Sequence, residues 1–131
     1  MVKLTKGKIN ESELTELLRN EEGGSIVVFL GEPRKGFEDG DVSSIEYTAY
    51  EEMAIQELKK IEEEALKRDG ILDVIIVHRL GDIPLKETSL YVGVSSRHRE
   101  EGFEITKWII EEVKKSVPIW KEIKYEGNRN S

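Results

Sequence analysis

Four cationic side chains in the last third of the chain have the types and the spacing to handle an anion. His98 and Arg99 lie where an apolar segment gives way to a predicted helix, so free backbone N–H groups would add to their charge. Lys114 and Lys121 lie seven residues apart, on either side of Pro118. Guanidinium, imidazolium and ammonium groups bind phosphates and carboxylates through charge-assisted hydrogen bonds. The segment therefore predicts a basic, anion-binding site.

Lys114 lies at the margin of the apolar arc of that helix. Four residues form the arc: Phe103, Ile110, Val113 and Val117. A lysine at such a margin can lose solvation and become suited to acid–base or covalent chemistry. The alternative is a lysine whose stem covers the core while its ammonium group stays in water.

The other candidates also have two interpretations each. Alternation along a predicted strand places Lys121 on one face with Ile119 and Ile123, so it either joins a pocket or faces solvent. Arg99 either binds an anion or pairs with neighbouring glutamates on the surface. His78 ends another predicted strand, where it either belongs to the site or satisfies buried carbonyl groups.

The overall charge narrows the class of partner. The chain has 131 residues and a net charge of −7, yet the segment from Arg97 to Tyr125 has 7 basic and 6 acidic residues. An acidic protein repels the phosphates of nucleic acids and of anionic membranes. We therefore expect neither a nucleic acid nor a membrane as a partner. The acidic chain has one locally basic segment.

The residue types that are missing exclude several chemistries. The chain has no cysteine, so disulfides, thiolate metal sites and thiol nucleophiles are excluded. Its two histidines, without a carboxylate cluster, are a poor metal signature. No metal or bound cofactor is expected. The first ten residues lack the apolar core of a signal peptide and no apolar run approaches the length of a membrane span, which predicts a soluble, cytoplasmic protein.

Hydrophobic periodicity predicts the elements that must position these residues. Helices are predicted from Asn10, a capping residue, to about residue 22, and over residues 50–68 and 99–117. The helix over residues 50–68 has one apolar stripe: Ala54, Leu58, Ile61 and Ala65. Strands are predicted over residues 25–30, 42–48, 71–77, 88–95 and 119–125. The first of them is expected to be buried, because it is a short apolar run rich in β-branched residues. Residues 31–41 are predicted to form an exposed loop that displays Arg34. This order predicts a single α+β domain over residues 1–131, with three helices packed on a mixed or largely antiparallel sheet.

Five strings in this order resemble the large, catalytic subunit family of molybdopterin synthase. They are GEPR at 31–34, YEEMA at 50–54, VHRLG at 77–81, VSSRHREEGFE at 94–104 and K-x3-PIWK at 114–121. The resemblance implies a hammerhead-like α+β fold and a homodimer within a heterotetramer, with one ubiquitin-like small subunit at each end. It implies conversion of cyclic pyranopterin monophosphate into the molybdopterin dithiolene. The sulfur would arrive on the thiocarboxylated C-terminus of the small subunit, which agrees with a chain that lacks cysteine.

The resemblance also implies separate roles for the site residues. Lys114 would be the central catalytic lysine beside the inserted thiocarboxylate, and Lys121 would be the second catalytic lysine. His98 and Arg99 would hold the phosphate or the pterin of the substrate, and Arg34 would help to enclose it.

The chain departs from the family pattern at three places. Pro33 stands before the loop arginine, Glu122 and Ile123 follow Lys121, and residues 127–130 contain no tryptophan. A non-catalytic binding module for a phosphorylated small molecule or a ubiquitin-like partner is therefore a second hypothesis. The third hypothesis is a phosphate-ester hydrolase that uses His98. The sequence lacks the carboxylates or metal ligands expected of such an enzyme.

Overall fold

The computed structural model describes residues 1–36 and 40–126. Within these ranges the chain folds into three helices and seven strands. In chain order they are β1 (Val2–Thr5), α1 (Glu11–Leu17), β2 (Ser25–Gly31), β3 (Val42–Ala49), α2 (Glu51–Leu66), β4 (Ile71–Arg79), β5 (Gly81–Pro84), β6 (Leu90–Ser96), α3 (Arg99–Ser116) and β7 (Ile119–Tyr125).

The strands form two sheets. The first has the order β1-β4-β6-β2, in which β1 runs parallel to β4 while the other pairs are antiparallel. The second is antiparallel, with the order β5-β3-β7. This arrangement confirms the predicted α+β class with three helices, and it divides the strands between a mixed and an antiparallel sheet where a single sheet was predicted. It also leaves β2 at an edge of the larger sheet.

The main core lies between the four-stranded sheet and helices α2 and α3. The predicted stripe of α2 is buried along its whole length: Ala54, Leu58, Ile61 and Ala65. Helix α3 contributes Ile105, Ile109 and Val113. Full burial of one such side chain stabilises the fold by roughly 1.5–3 kcal/mol. The stripes therefore fix both helices on the sheet, and with them the ends of α3.

A smaller core covers the opposite face of the same sheet. Leu18, just after α1, is fully buried there with Ile75, Val77 and Tyr91. The hydroxyl groups of Tyr91 and Thr15 lie 2.7 Å apart, which ties α1 to β6. The sheet is thus covered on both faces.

Several predicted elements differ from the observed ones. Asn10 does cap α1, since its Oδ1 accepts a hydrogen bond of 3.1 Å from the N–H of Glu13. The helix ends at Leu17 and not near residue 22, because Asn20 instead accepts the N–H of Glu22 and closes a local turn. Strands β1 and β5 were not predicted, since each is short and is defined by pairing with a distant strand.

Two predictions of burial are wrong. Phe103 was placed on the apolar arc of α3, but it is 60% exposed because the sheet packs against the arc that contains Ile105 and Ile109. Strand β2 was expected to be buried, yet as an edge strand it leaves Val28 and Leu30 exposed.

Candidate active site

An open cleft of about 830 Å³ lies where the two sheets and the end of α3 meet. The last residues of β2 and the loop after them form one part of its lining. Strands β3 and β7 contribute Tyr47 and Lys121, strand β4 contributes His78, and the last turn of α3 contributes Lys114. These five segments of the chain therefore converge on this space.

Lys114 enters the cleft from the last turn of α3. It follows the buried Val113, and both residues line the cleft together with Val117. The side chain of Lys114 is itself exposed, which agrees with an apolar stem along the wall and an ammonium group in solvent. A cation also interacts favourably with the partial negative charge at the C-terminal end of a helix.

Lys121 enters from the opposite side, on β7. The predicted alternation is confirmed, because Ile119, Lys121 and Ile123 all line the cleft. Trp120 points the other way and packs edge-on against Tyr50, with ring centroids 4.8 Å apart. The strand geometry therefore presents Lys121 to the same space as Lys114.

The third cation of the cleft is Arg34. It follows β2 in the loop, is exposed as predicted, and comes directly after the buried Pro33. Glu32 also lines the cleft and partly offsets the three positive charges. Glu122, one of the departures from the family pattern, does not line the cleft. It lies opposite Glu46 of β3 in the strand register, on the face of the sheet that points away from the cleft. Residues 127–130, the third departure, lie outside the described residues.

Within one chain, His98 and Arg99 lie apart from this cleft. Arg99 begins α3 and Lys114 is 15 residues further along the same helix. At 1.5 Å per residue, that spacing corresponds to roughly 22 Å along the helix axis. One chain therefore brings together Arg34, Lys114 and Lys121, and it places the His98–Arg99 pair at the other end of α3.

The surroundings of His98 are polar and open. It is the N-cap residue of α3 but makes no side-chain capping hydrogen bond, so the first N–H groups of the helix remain available. Its Nδ1 lies 3.2 Å from Oε1 of Glu101. Arg97 forms a surface ion pair with Glu22 at 3.0 Å, whereas Arg99 has no such partner among the described residues. Among the described residues, the pairing of Arg99 with neighbouring glutamates is therefore not observed.

His78 belongs to the cleft and also satisfies a carbonyl group. The residue is 6% exposed, and its Nδ1 lies 2.8 Å from the carbonyl oxygen of Arg79. Burial lowers the pKa of His78 below its ordinary value of 6.5, outweighing the hydrogen bond to the Arg79 carbonyl, which acts in the opposite direction. His78 thus lines the cleft and satisfies a carbonyl group at the same time. Its lowered pKa favours a neutral imidazole among the cations of the cleft.

The described part of the chain has neither a metal-binding cluster nor a membrane-spanning helix. Within residues 1–36 and 40–126, no group of three or more His, Asp or Glu side chains is arranged to hold a metal ion. None of the helices in this part of the chain is long and apolar enough to cross a membrane.

The fold and the cleft define an α+β protein with a cationic, solvent-open site between two sheets. The sequence model described as "MoaE protein" matches residues 4–116. The molybdopterin synthase catalytic subunit of Pyrococcus abyssi is 44% identical over 119 residues, which cover 90% of this chain and 80% of that protein. The subunit of the same name from Culex quinquefasciatus is 40% identical over 125 residues, covering 95% and 80%. The chain belongs to the MoaE family.

Solved structures agree with this assignment. The crystal structure of molybdopterin synthase from Staphylococcus aureus superposes with a TM-score of 0.87 and 32% sequence identity, covering 95% of this chain and 91% of that one. A MoaE protein from Burkholderia ambifaria gives a TM-score of 0.80 at 28% identity, covering 92% and 80%. The family resemblance noted in the sequence is thereby confirmed over nearly the whole chain.

Proposed function

We propose that this chain is the catalytic subunit of a molybdopterin synthase. It converts cyclic pyranopterin monophosphate into the molybdopterin dithiolene with sulfur from the thiocarboxylated C-terminus of a ubiquitin-like small subunit. The observation that carries the proposal is the convergence of Lys114, Lys121 and Arg34 on one open cleft in a chain of this family. The proposed compartment is the cytoplasm, which cell fractionation would test.

The chemistry of the cleft suits both anionic reactants. The thiocarboxylate of an inserted tail is attracted by the ammonium group of Lys114, the proposed central catalytic residue. As sulfur attacks a substrate carbon and the phosphate ester bond breaks, negative charge develops that Lys114 and Lys121 can stabilise. Arg34 lies at the loop side of the cleft, where a guanidinium group can bind a phosphate in bidentate fashion.

His98 and Arg99 complete the proposed site only if a second copy of the chain supplies them. Strand β2 offers the contact for such a copy, because it is an edge strand with unpaired backbone groups. Val28 is 38% exposed, Leu30 40% and the neighbouring Phe103 60%. An apolar edge of this kind is suited to pairing with its own symmetry mate.

Antiparallel pairing of β2 with β2 of a second copy would bring opposite strand ends together. The start of β2 lies beside the N-terminal end of α3, since the N–H of Gly24 donates to the carbonyl of Ser96 at 3.0 Å. The end of β2 forms part of the cleft through Leu30 and Gly31. His98 and Arg99 of one copy would therefore approach the cleft of the other, where they would hold the phosphate or the pterin.

The test is reconstitution with the thiocarboxylated small subunit and the cyclic substrate. We expect Lys114→Ala to lower molybdopterin formation at least about 100-fold, the scale of losing one preorganised transition-state contact. Lys115→Ala is the matched control, because Lys115 is exposed beside Lys114 and pairs with Glu112 away from the cleft. Full activity of Lys114→Ala would refute the proposed function. Tight tail binding by the unaltered chain without product would favour the binding module instead.

A further inference from the structure

The cleft contains one neutral, proton-accepting side chain among its cations. His78 lies on β4 at the base of the cleft, between the apolar Leu4 of β1 and Leu90 of β6 in the strand register. Its ring packs edge-on against Tyr47 of β3, with centroids 4.9 Å apart. Tyr47 is in turn the register partner of Lys121. Tyr47 therefore lies between His78 and the proposed catalytic Lys121.

The hydrogen bond at Nδ1 fixes which ring nitrogen can react. The carbonyl oxygen of Arg79 can only accept a hydrogen bond, so Nδ1 at 2.8 Å from it carries the proton. Nε2 of the neutral ring then has a free lone pair. The ionisable groups that share the cleft with it are Glu32, Arg34 and Lys114, besides Tyr47 and Lys121. Burial disfavours a positive charge on the ring, which keeps it available as a base.

The proposed sulfur transfer creates a need for such a base. When the thiocarboxylate sulfur bonds to a substrate carbon, the tail and the pterin become joined by a thioester. Release requires water: its oxygen bonds to the carbonyl carbon, the carbon–sulfur bond breaks, and sulfur leaves with the electron pair. The products are the carboxylate of the tail, the pterin thiolate and two protons, of which the first must leave the attacking water. An ammonium or guanidinium group cannot accept it. Of the other ionisable side chains in the cleft, Glu32 is exposed to solvent, whereas His78 is buried against Tyr47.

We propose that Nε2 of His78 is the general base that takes this proton. His78 thereby activates the water that hydrolyses the tail–pterin thioester and frees the small subunit. The inference rests on the proposed function, since it needs the thioester that the sulfur transfer forms. Lys114 and Lys121 serve the transfer, and His78 serves the release.

The first test uses the reconstituted complex of this chain with the thiocarboxylated small subunit and cyclic substrate. His78→Asn keeps a side-chain donor near the position of Nδ1 but removes the base. In a single turnover we expect the covalent tail–pterin adduct to accumulate, seen by intact-protein mass, with release at least about 100-fold slower, the scale of general-base catalysis. Release at the rate of the unaltered enzyme would overturn the inference. Lys114→Ala should form no adduct, and full turnover by that variant would instead overturn the proposed function.

Two measurements on the unaltered chain decide the matter even if His78→Asn does not fold. Adduct release should be independent of pH above 6.5, the ordinary histidine value, and should slow only below it, because the lowered pKa of His78 keeps the ring neutral there. Imidazole ¹⁵N spectra should show Nδ1 protonated and Nε2 bare. The chain has only two histidines, so His98→Asn assigns the signals. A protonated Nε2 at neutral pH, or release that already slows above pH 6.5, would refute the proposed base.

Discussion

Lys114 and Lys121 reach the same cleft from different kinds of element. Lys114 lies on the last turn of a helix and Lys121 on one face of a strand. Their neighbours, Lys115 and Lys124, have the same charge but lie on other faces, and Lys124 is held by Glu46 and Asp82 at 3.5 and 3.8 Å. Position on the element therefore separates the cleft lysines from the surface lysines.

The face of β7 gives a prediction for the second lysine. Lys121→Ala should lower molybdopterin formation at least about 10-fold, because it removes a cation that stabilises charge during the transfer. Lys124→Ala is the control on the same strand, since its ion pairs lie on the face away from the cleft. Equal activity of the two variants in the reconstituted assay would show that the cleft face of β7 has no part in the reaction.

His78 also makes stability depend on pH. Its pKa is lowered in the folded chain, so the unfolded chain binds the proton more readily once the pH falls below about 6.5. The free energy of unfolding should therefore fall as the pH is lowered through this region. Urea unfolding at several pH values measures it, and His78→Asn should lack that part of the dependence. An unchanged pH profile in the variant would contradict a buried, neutral ring.

Sequence patterns predicted some individual residues well and others poorly. Asn10, Lys121 and Arg34 followed from local rules of capping, alternation and loop composition, and those rules involve only near neighbours in the chain. The place of Phe103 did not follow, because the face of a helix that becomes buried depends on which sheet packs against it. The convergence of Arg34 with Lys114 likewise needed the tertiary fold.

At the scale of elements, α3 and β2 are joined tightly at one junction. The N–H of Gly24, just before β2, donates to Ser96, and a Cβ atom at Gly24 would lie 2.4 Å from the carbonyl oxygen of Arg97. Such a separation is far below van der Waals contact, so any larger residue must displace the backbone before His98. The junction thus fixes the position of the His98–Arg99 pair.

This close contact predicts the effect of a single methyl group. Gly24→Ala should lower the free energy of unfolding by about 1–3 kcal/mol, the range for overpacking, and should also weaken substrate binding. Gly7→Ala is the control, because the nearest atom to its Cβ would be 3.7 Å away. Denaturant unfolding and KM for the cyclic substrate would be compared. Equal stability of the two variants would mean that the junction relaxes without cost.

The elements that the sequence predicted are those with a strong internal period. Helix α2 shows its stripe within 16 residues, and its four buried positions were all identified in advance. Strands β1 and β5 are four residues each, too short for a period to show. A turn at Gly81, with φ of +95°, lets β5 start directly after β4. The sequence predicted no strand over these residues.

At the scale of the whole molecule, the exposed edge of β2 predicts assembly. Val28→Lys should convert a dimer into monomers, because it places a charge in the proposed strand contact. Leu17→Lys is the control, since Leu17 is an equally apolar residue that is 59% exposed on α1. Sedimentation or light scattering would measure the mass. A dimer that survives Val28→Lys would place the contact elsewhere.

Shared sites make a sharper prediction for mixed dimers. His98→Ala and Lys114→Ala should each be inactive alone, since each damages both sites of a symmetric dimer. Co-expressed in equal amounts, they should recover about one quarter of full activity, because half of the dimers are mixed and each has one intact site. No recovery, despite mixed dimers detected by mass, would show that His98 acts in its own chain or not at all.

Helix α3 spans from the His98–Arg99 pair to Lys114, so in the proposed dimer it joins one active site to the other. Its length is then a fixed spacer. One residue inserted between Gly102 and Val113 would turn Lys114 by about 100° and move it about 1.5 Å. In the proposed dimer, the number of residues in α3 is therefore set by the distance between the two proposed active sites.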